Sequence, residues 1–230
     1  MKSIAAGRLP IGLRDPETDP QFDSAALVII DTQQDVLDDG ALTIAGTSAA
    51  VPAMGHVLQA FREAERPIVH IVRIYEQDGS NADLCRRGLL RDGAPILIRN
   101  SPGSQIAGEL LPELGIELDA GLLLSGGVQP LAALEVAIYK PRWGAFYRTP
   151  LEDHLRGHDV STVVFAGCNF PNCPRTSIYE ASERDFRVVV VRDAVSGLYD
   201  RGEQELAGIG VRLMTADEVQ AAIRAPVARP

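Results

Sequence analysis

Basic charge, cysteine, long apolar runs and nucleotide-binding glycine motifs are scarce or missing from this chain of 230 residues, and each shortage removes a class of function. With 22 basic against 31 acidic side chains, the formal net charge is −9. Such a field repels polyphosphates, so nucleic acid is not an expected partner. No apolar run approaches the roughly 20 residues that span a bilayer, and the N-terminus lacks a charged-then-apolar signal pattern ending in small residues. A cytoplasmic protein without a membrane partner is therefore expected. The three cysteines, Cys85, Cys168 and Cys173, include no C-x-x-C pair, which supports neither a disulfide framework nor a zinc knuckle. The glycines from Gly40 to Gly46 match neither G-x-G-x-x-G nor the P-loop pattern. None of His56, His70, His154 and His158 has a metal-ligand spacing. No cofactor and no metal are expected.

What the chain does carry is an alternation of short apolar runs and amphipathic stretches. Residues 1–24 hold Gly7, Pro10, Gly12, Pro16 and Pro20 among few apolar residues, which predicts an irregular arm suited to packing on a neighbouring subunit. The run from Ala25 to Ile30 ends at Asp31, as a buried parallel strand would. A helix near 49–65 precedes a second run at 67–73, and a polar excursion follows through 77–93. A short helix is expected around 103–111, then the apolar segments 122–124 and 135–140 on strand signals. Strands at 161–167 and 187–192 flank a helix that begins near Cys173 and runs to about Asp185. A helix at 201–208, a strand at 211–214 and a helix at 216–223 complete the pattern, with Thr215 as its N-cap. Alternation of this kind predicts an α/β fold with right-handed crossovers and a mostly parallel sheet covered on both faces. No composition break divides residues 25–230, which are read as one domain.

Ligands of such sheets bind beyond the carboxyl ends of the strands, so residues following the apolar runs are the first candidates for chemistry. Cys173 closes the segment Gly167-Cys168-Asn169-Phe170-Pro171-Asn172-Cys173 and opens a helix. The free N–H groups and positive dipole end there stabilise thiolate over thiol, predicting a lowered pKa, and can also bond a developing oxyanion. A buried cysteine acting as a small hydrophobe is the ordinary alternative; a strand before it and Asn and Pro around it favour the nucleophile. Cys168, ending an apolar strand, reads as buried and inert. Cys85 lies beside Arg86 and Arg87 with nothing else converging on it. Asp31 either orients or deprotonates a nucleophile, or caps the next turn. Lys140 either lowers the pKa of a nearby thiol or stands in solvent.

In ordered combination these residues resemble the isochorismatase-like cysteine hydrolases. The features are Asp31 followed by Gln33, Lys140 ahead of Gly144-Ala145-Phe146 and Thr149-Pro150-Leu151, and Gly167-x5-Cys173 followed by Thr176 and Ala181. The match runs from about Ala25 to Val219. It implies a three-layer α/β/α sandwich around a six-stranded, mostly parallel, Rossmann-like sheet, in a homodimer or homotetramer. It also implies a catalytic triad of Asp31, Lys140 and Cys173, and an acyl-enzyme thioester formed on the cysteine. A cis peptide at Cys168–Asn169 would place the Asn169 N–H beside that of Cys173 as an oxyanion hole. Gln33, Trp143 and Phe170 are the candidate pocket residues. Nicotinamidase-like members carry a metal-binding Asp-x-His segment, and nothing comparable stands here. A retained cysteine points to a C–N amide, lactam or ureido bond of a small molecule rather than to a vinyl ether. The Asn169–Pro174 elbow with Lys140–Tyr147 is also similar to the streptothricin hydrolase branch, and the acidic balance would suit a cationic substrate. A non-catalytic oligomeric binding module and a redox-sensing thiol protein are the alternatives on the same fold.

Overall fold

A computed structural model describes residues 15–225. Of the arm expected at 1–24, residues 1–14 lie outside the described residues, and residues 15–24 form turns that end in a 3-10 helix, Phe22–Ser24. The first strand, β1 (Ala25–Ile30), is buried at every position, which is why its sequence is a continuous apolar run instead of an alternation. The helix α1 (Thr47–Glu63), the strand β2 (Ile68–Val72) and the helix α2 (Leu84–Arg91) follow. Next come α3 (Ala120–Leu124), β3 (Val128–Ala132), β4 (Glu135–Tyr139) and α4 (Leu151–Gly157). The last third alternates β5 (Thr162–Gly167), α5 (Cys173–Ser182), β6 (Arg187–Val195), α6 (Asp200–Ala207), β7 (Arg212–Met214) and α7 (Ala216–Arg224).

The strands form one sheet in the order β3-β4-β2-β1-β5-β6-β7. Six of them, β4 to β7 in that order, run parallel, as expected; β3 adds a seventh, antiparallel to β4, at the edge. The strand signal missed it because it is half exposed and contains Pro130, which edge strands tolerate. The segment 122–124 belongs to the short helix α3, capped by Asp119, and is not a strand. The helix expected at 103–111 is two separate 3-10 turns, Pro102–Ser104 and Gly108–Leu110. The polar excursion holds α2, whose Leu84 and Leu89 are exposed while Leu90 packs inward.

Alternate residues of β1 serve different faces. Ala25, Leu27 and Ile29 pack with α1, α3 and α7, whereas Ala26, Val28 and Ile30 pack with α4, α5 and α6. The chain leaves β1 for β2 on one side and β5 lies on the other. Such a reversal of direction opens a crevice at the carboxyl edge of the sheet. A third, small cluster, Tyr75, Ala82, Leu90, Ile96 and Leu97, fixes the excursion above that edge.

Candidate active site

Four strands deliver their next residues to the crevice: β1 gives Asp31, β2 gives Arg73, β4 gives Lys140 and β5 leads into the Cys168–Cys173 elbow. Asp31 adopts a left-handed backbone, φ 49°, and its N–H donates to the carbonyl of Ile71 at 2.8 Å. Its Oδ2 lies 2.8 Å from the Nζ of Lys140, which is fully buried. The same Nζ donates to Cys173 Sγ at 3.2 Å and to the Arg142 carbonyl at 3.2 Å. Asp31 Oδ1 is buried and has no hydrogen-bond partner among the described residues. Lys140, which the sequence allows to stand in solvent, lies instead between the acid and the thiol.

The elbow owes its course to local constraints. Gly167 has φ 115°, and a Cβ there would run into the backbone of Ile30, so only glycine lets β5 turn away beside β1. The Cys168–Asn169 peptide is cis. Cys173 opens α5, and Pro174 occupies its first turn, where a missing N–H costs nothing. Neither the Asn169 N–H nor the Cys173 N–H meets an acceptor among the described residues. The loop after Lys140 is tied to α5: Ala145 N–H donates to Ser177 Oγ at 3.0 Å and Phe146 N–H to Glu180 at 2.9 Å. Gly144 passes so close to the Glu180 carboxylate that a Cβ would collide with it. Burial pushes the Glu180 pKa up despite the Phe146 bond and Arg184.

The expected lowering of the Cys173 pKa does not hold. Burial first, and the Asp31 carboxylate second, push the thiol up to about 12, against the opposing pull of Lys140. Desolvation and a like charge outweigh the helix terminus, so the resting group is the thiol. Cys168 is also buried and pushed well up by burial, and it donates to the Asp31 carbonyl at 3.4 Å.

A narrow pocket above Cys173 is lined by Asp31, Arg73, Tyr75, Arg86, Trp143 and Asn169, among others. Trp143 therefore stands at the pocket, with the Arg86 guanidinium 5.4 Å from its ring centroid. Gln33 and Phe170 do not. Gln33 is fully buried, and its amide is consumed by the Arg73 backbone and the Ser104 carbonyl. Phe170 is fully buried among apolar side chains, edge-on to Tyr199 at 5.4 Å. The residues that sequence reasoning missed are Arg73, Arg86 and the Asp83 that pairs with Arg73 at 3.2 Å. An arginine at the carboxyl end of an apolar strand was the signal available for the first. A larger cleft, lined by Gln34, Asp38, Asp39, Ser48 and Glu109 among others, has neither a cysteine nor a lysine in its lining. Among the described residues no group of three His, Cys, Asp or Glu side chains could hold a metal ion.

A parallel sheet with an acid, a lysine and a thiol converging past its carboxyl edge is the build of an α/β hydrolase. The chain belongs to the isochorismatase family, whose Isochorismatase domain matches residues 25–221. An Arabidopsis thaliana protein named a probable inactive nicotinamidase is 26% identical over 201 residues, 85% of this chain and 94% of its own. The maleamate amidohydrolase of Pseudomonas putida is 29% identical over 174 residues, covering 74% of this chain and 71% of its own. An isochorismatase family protein of Desulfovibrio vulgaris superposes with a TM-score of 0.74 at 26% identity, over 88% of this chain and 99% of its own.

Proposed function

We propose that the protein hydrolyses a carbon–nitrogen bond of a small molecule, an amide, ureido compound or lactam, with Cys173 as nucleophile. The observation that carries this reading is the contact chain from Asp31 Oδ2 through Lys140 Nζ to Cys173 Sγ, at 2.8 and 3.2 Å, on the wall of one pocket. As substrate enters and excludes water, the Cys173 proton passes to Asp31, and the thiolate attacks the carbonyl carbon. Lys140 balances the charge that moves onto sulfur. The oxyanion is held by the Asn169 and Cys173 N–H groups, which have no other acceptor among the described residues. The C–N bond breaks as Asp31 returns its proton to the departing nitrogen, leaving a thioester. Water then gives a proton to Asp31 and its hydroxyl attacks the thioester; the C–S bond breaks, the Asp31 proton returns to sulfur, and the carboxylic acid leaves and gives its own proton to solvent.

An amide is supported by the relative named a maleamate amidohydrolase. The streptothricin-type lactam is the finer version, resting on the Asn169–Pro174 elbow, and belongs in any substrate panel. A non-catalytic binding module is the second reading, favoured by the relative named probable inactive. The redox-sensing reading is weakened by Cys168, a buried thiol held protonated. A homodimer or homotetramer would cover exposed apolar side chains such as Leu84 and Leu114, and light scattering gives the number. No helix of the described residues is long and apolar enough to cross a membrane.

The test is an amidase screen over nicotinamide, biuret, carbamoyl amines and lactam antibiotics, with acid quench and mass spectrometry of the protein. The expected result is an acyl adduct on Cys173 and a loss of turnover by about 10³-fold or more in Cys173→Ala. Turnover that survives in Cys173→Ala sinks the nucleophile; no adduct and no turnover across the panel favours the binding module.

A further inference from the structure

The pocket above Cys173 is too small to take a substrate. Its volume is about 20 Å³, room for one water molecule, whereas sites that hold small organic molecules span roughly 300–1,000 Å³. Cys173 itself is 7% exposed. Whatever reacts at this thiol has to enter past a wall that moves.

Most of the wall is fastened. Asp31 is paired with Lys140 at 2.8 Å, and Arg73 with Asp83 at 3.2 Å. Leu42 and Ile44 belong to a loop whose N–H groups donate to the Asp35 and Val36 carbonyls at 2.8 and 3.0 Å. Asn169 accepts from the Asn172 side chain at 3.2 Å. The exceptions are Arg86 and Trp143, both half-buried at the rim. Among the described residues no hydrogen bond or ion pair holds either side chain. What joins them is the Arg86 guanidinium, 5.4 Å from the indole centroid. At a half-exposed site such a contact is worth a factor of only about two to five in population. The root of Trp143 is fixed, because Ala145 and Phe146 bind its loop to α5. Arg86 projects from α2, an element that buries only Leu90, and its long side chain can leave the ring without any backbone movement.

We propose that Arg86 is the mobile half of a gate and Trp143 its fixed half. With the guanidinium against the indole the pocket is shut; with Arg86 swung into solvent it opens over Cys173. Arg86 thereby selects by size which molecules reach the thiol, and its return excludes water once they are inside. This holds whether or not the thiol goes on to hydrolyse an amide.

The test reads access to the thiol directly. Methyl and benzyl methanethiosulfonate are neutral and share one chemistry: the thiolate takes the alkylthio group, a disulfide forms, and methanesulfinate leaves. The ratio of their rates at Cys173 therefore cancels the thiolate fraction and reports size-dependent entry. Rates are followed by peptide mass spectrometry in a Cys85→Ser background, which removes the exposed thiol. Arg86→Ala, which a helix accommodates well, is expected to raise the benzyl-to-methyl ratio by about threefold or more. Trp143 is the single tryptophan of the chain, so its fluorescence gives an unmixed second reading. Acrylamide is expected to quench it more strongly in Arg86→Ala than in the wild type. Arg86→Gln is run beside the alanine variant, is expected to change both readings in the same direction, and carries the test if Arg86→Ala melts early. An unchanged ratio or unchanged quenching overturns the gate. Acyl-enzyme formation on wild-type Cys173 is a separate measurement, so the amidohydrolase reading and the gate fail independently.

Discussion

At the scale of single residues, the state of Cys173 is set by a competition between the helix end beneath it and the carboxylate beside it. Burial first, and the carboxylate second, win, and the thiol stays protonated near neutral pH. Replacing Asp31 by Asn removes a negative charge that disfavours thiolate, so the Cys173 pKa moves down. Asp31→Asn is expected to shift iodoacetamide labelling of Cys173 to lower pH while abolishing amide turnover. Mass-spectrometric labelling rates from pH 6 to 10, with exposed Cys85 as internal reference, read both signs. An unshifted labelling profile would show that the carboxylate does not hold the proton on sulfur. Asp31, Lys140 and Cys173 were legible beforehand because each follows an apolar run or opens a helix, positions the topology carries to one edge. Arg73 occupies the same kind of position but went unread, since a charge ending a strand is usually just the border with solvent. Its partner Asp83 lies in an excursion without periodicity, and only folding brings the two within 3.2 Å. Gln33 was misplaced for the opposite reason: an amide beside a candidate acid looks like a ligand group until its backbone partners are visible.

Among the elements, the six parallel strands were readable as apolar runs because both their faces are covered. The excursion was not, because α2 buries only Leu90 and gives no apolar stripe. The junction of β5 with α5 depends on one glycine. Gly167→Ala places a methyl group on the Ile30 backbone and forces a left-handed φ on alanine. A loss of at least about 2 kcal/mol is expected in urea unfolding, with the Asn169 and Cys173 N–H groups displaced and turnover reduced beyond the fraction unfolded. A neutral result would mean that β1 and β5 can part at little cost.

Across the whole molecule, the two edges of the sheet divide the labour. The carboxyl edge holds the proposed site, and the amino edge is anchored by Glu135, which lies 2.8 Å from both Arg62 of α1 and His70 of β2. Burial works against the Glu135 charge, but the His70 and Arg62 hydrogen bonds win and hold its pKa below the usual carboxylate value. A carboxylate depressed on folding adds stability above its unfolded pKa of 4.5, and that stability is lost as pH falls through the folded value. Arg62→Met is therefore expected to cost about 2 kcal/mol at pH 7 and less at pH 3. Urea midpoints at the two pH values give the difference, and an equal cost at both would rule the ion pair out as its source.

The borders of the sheet bear on how copies of the chain can meet. On one side β3 presents a half-exposed ribbon interrupted by Pro130, which has no N–H to donate; on the other, β7 has three residues. Neither border offers the long, regular row of donors and acceptors that strand-to-strand joining requires. A continuous sheet spanning two subunits is thereby disfavoured. Recognition between copies falls instead to helices and loops, where side chains, not main-chain hydrogen bonds, would choose the partner.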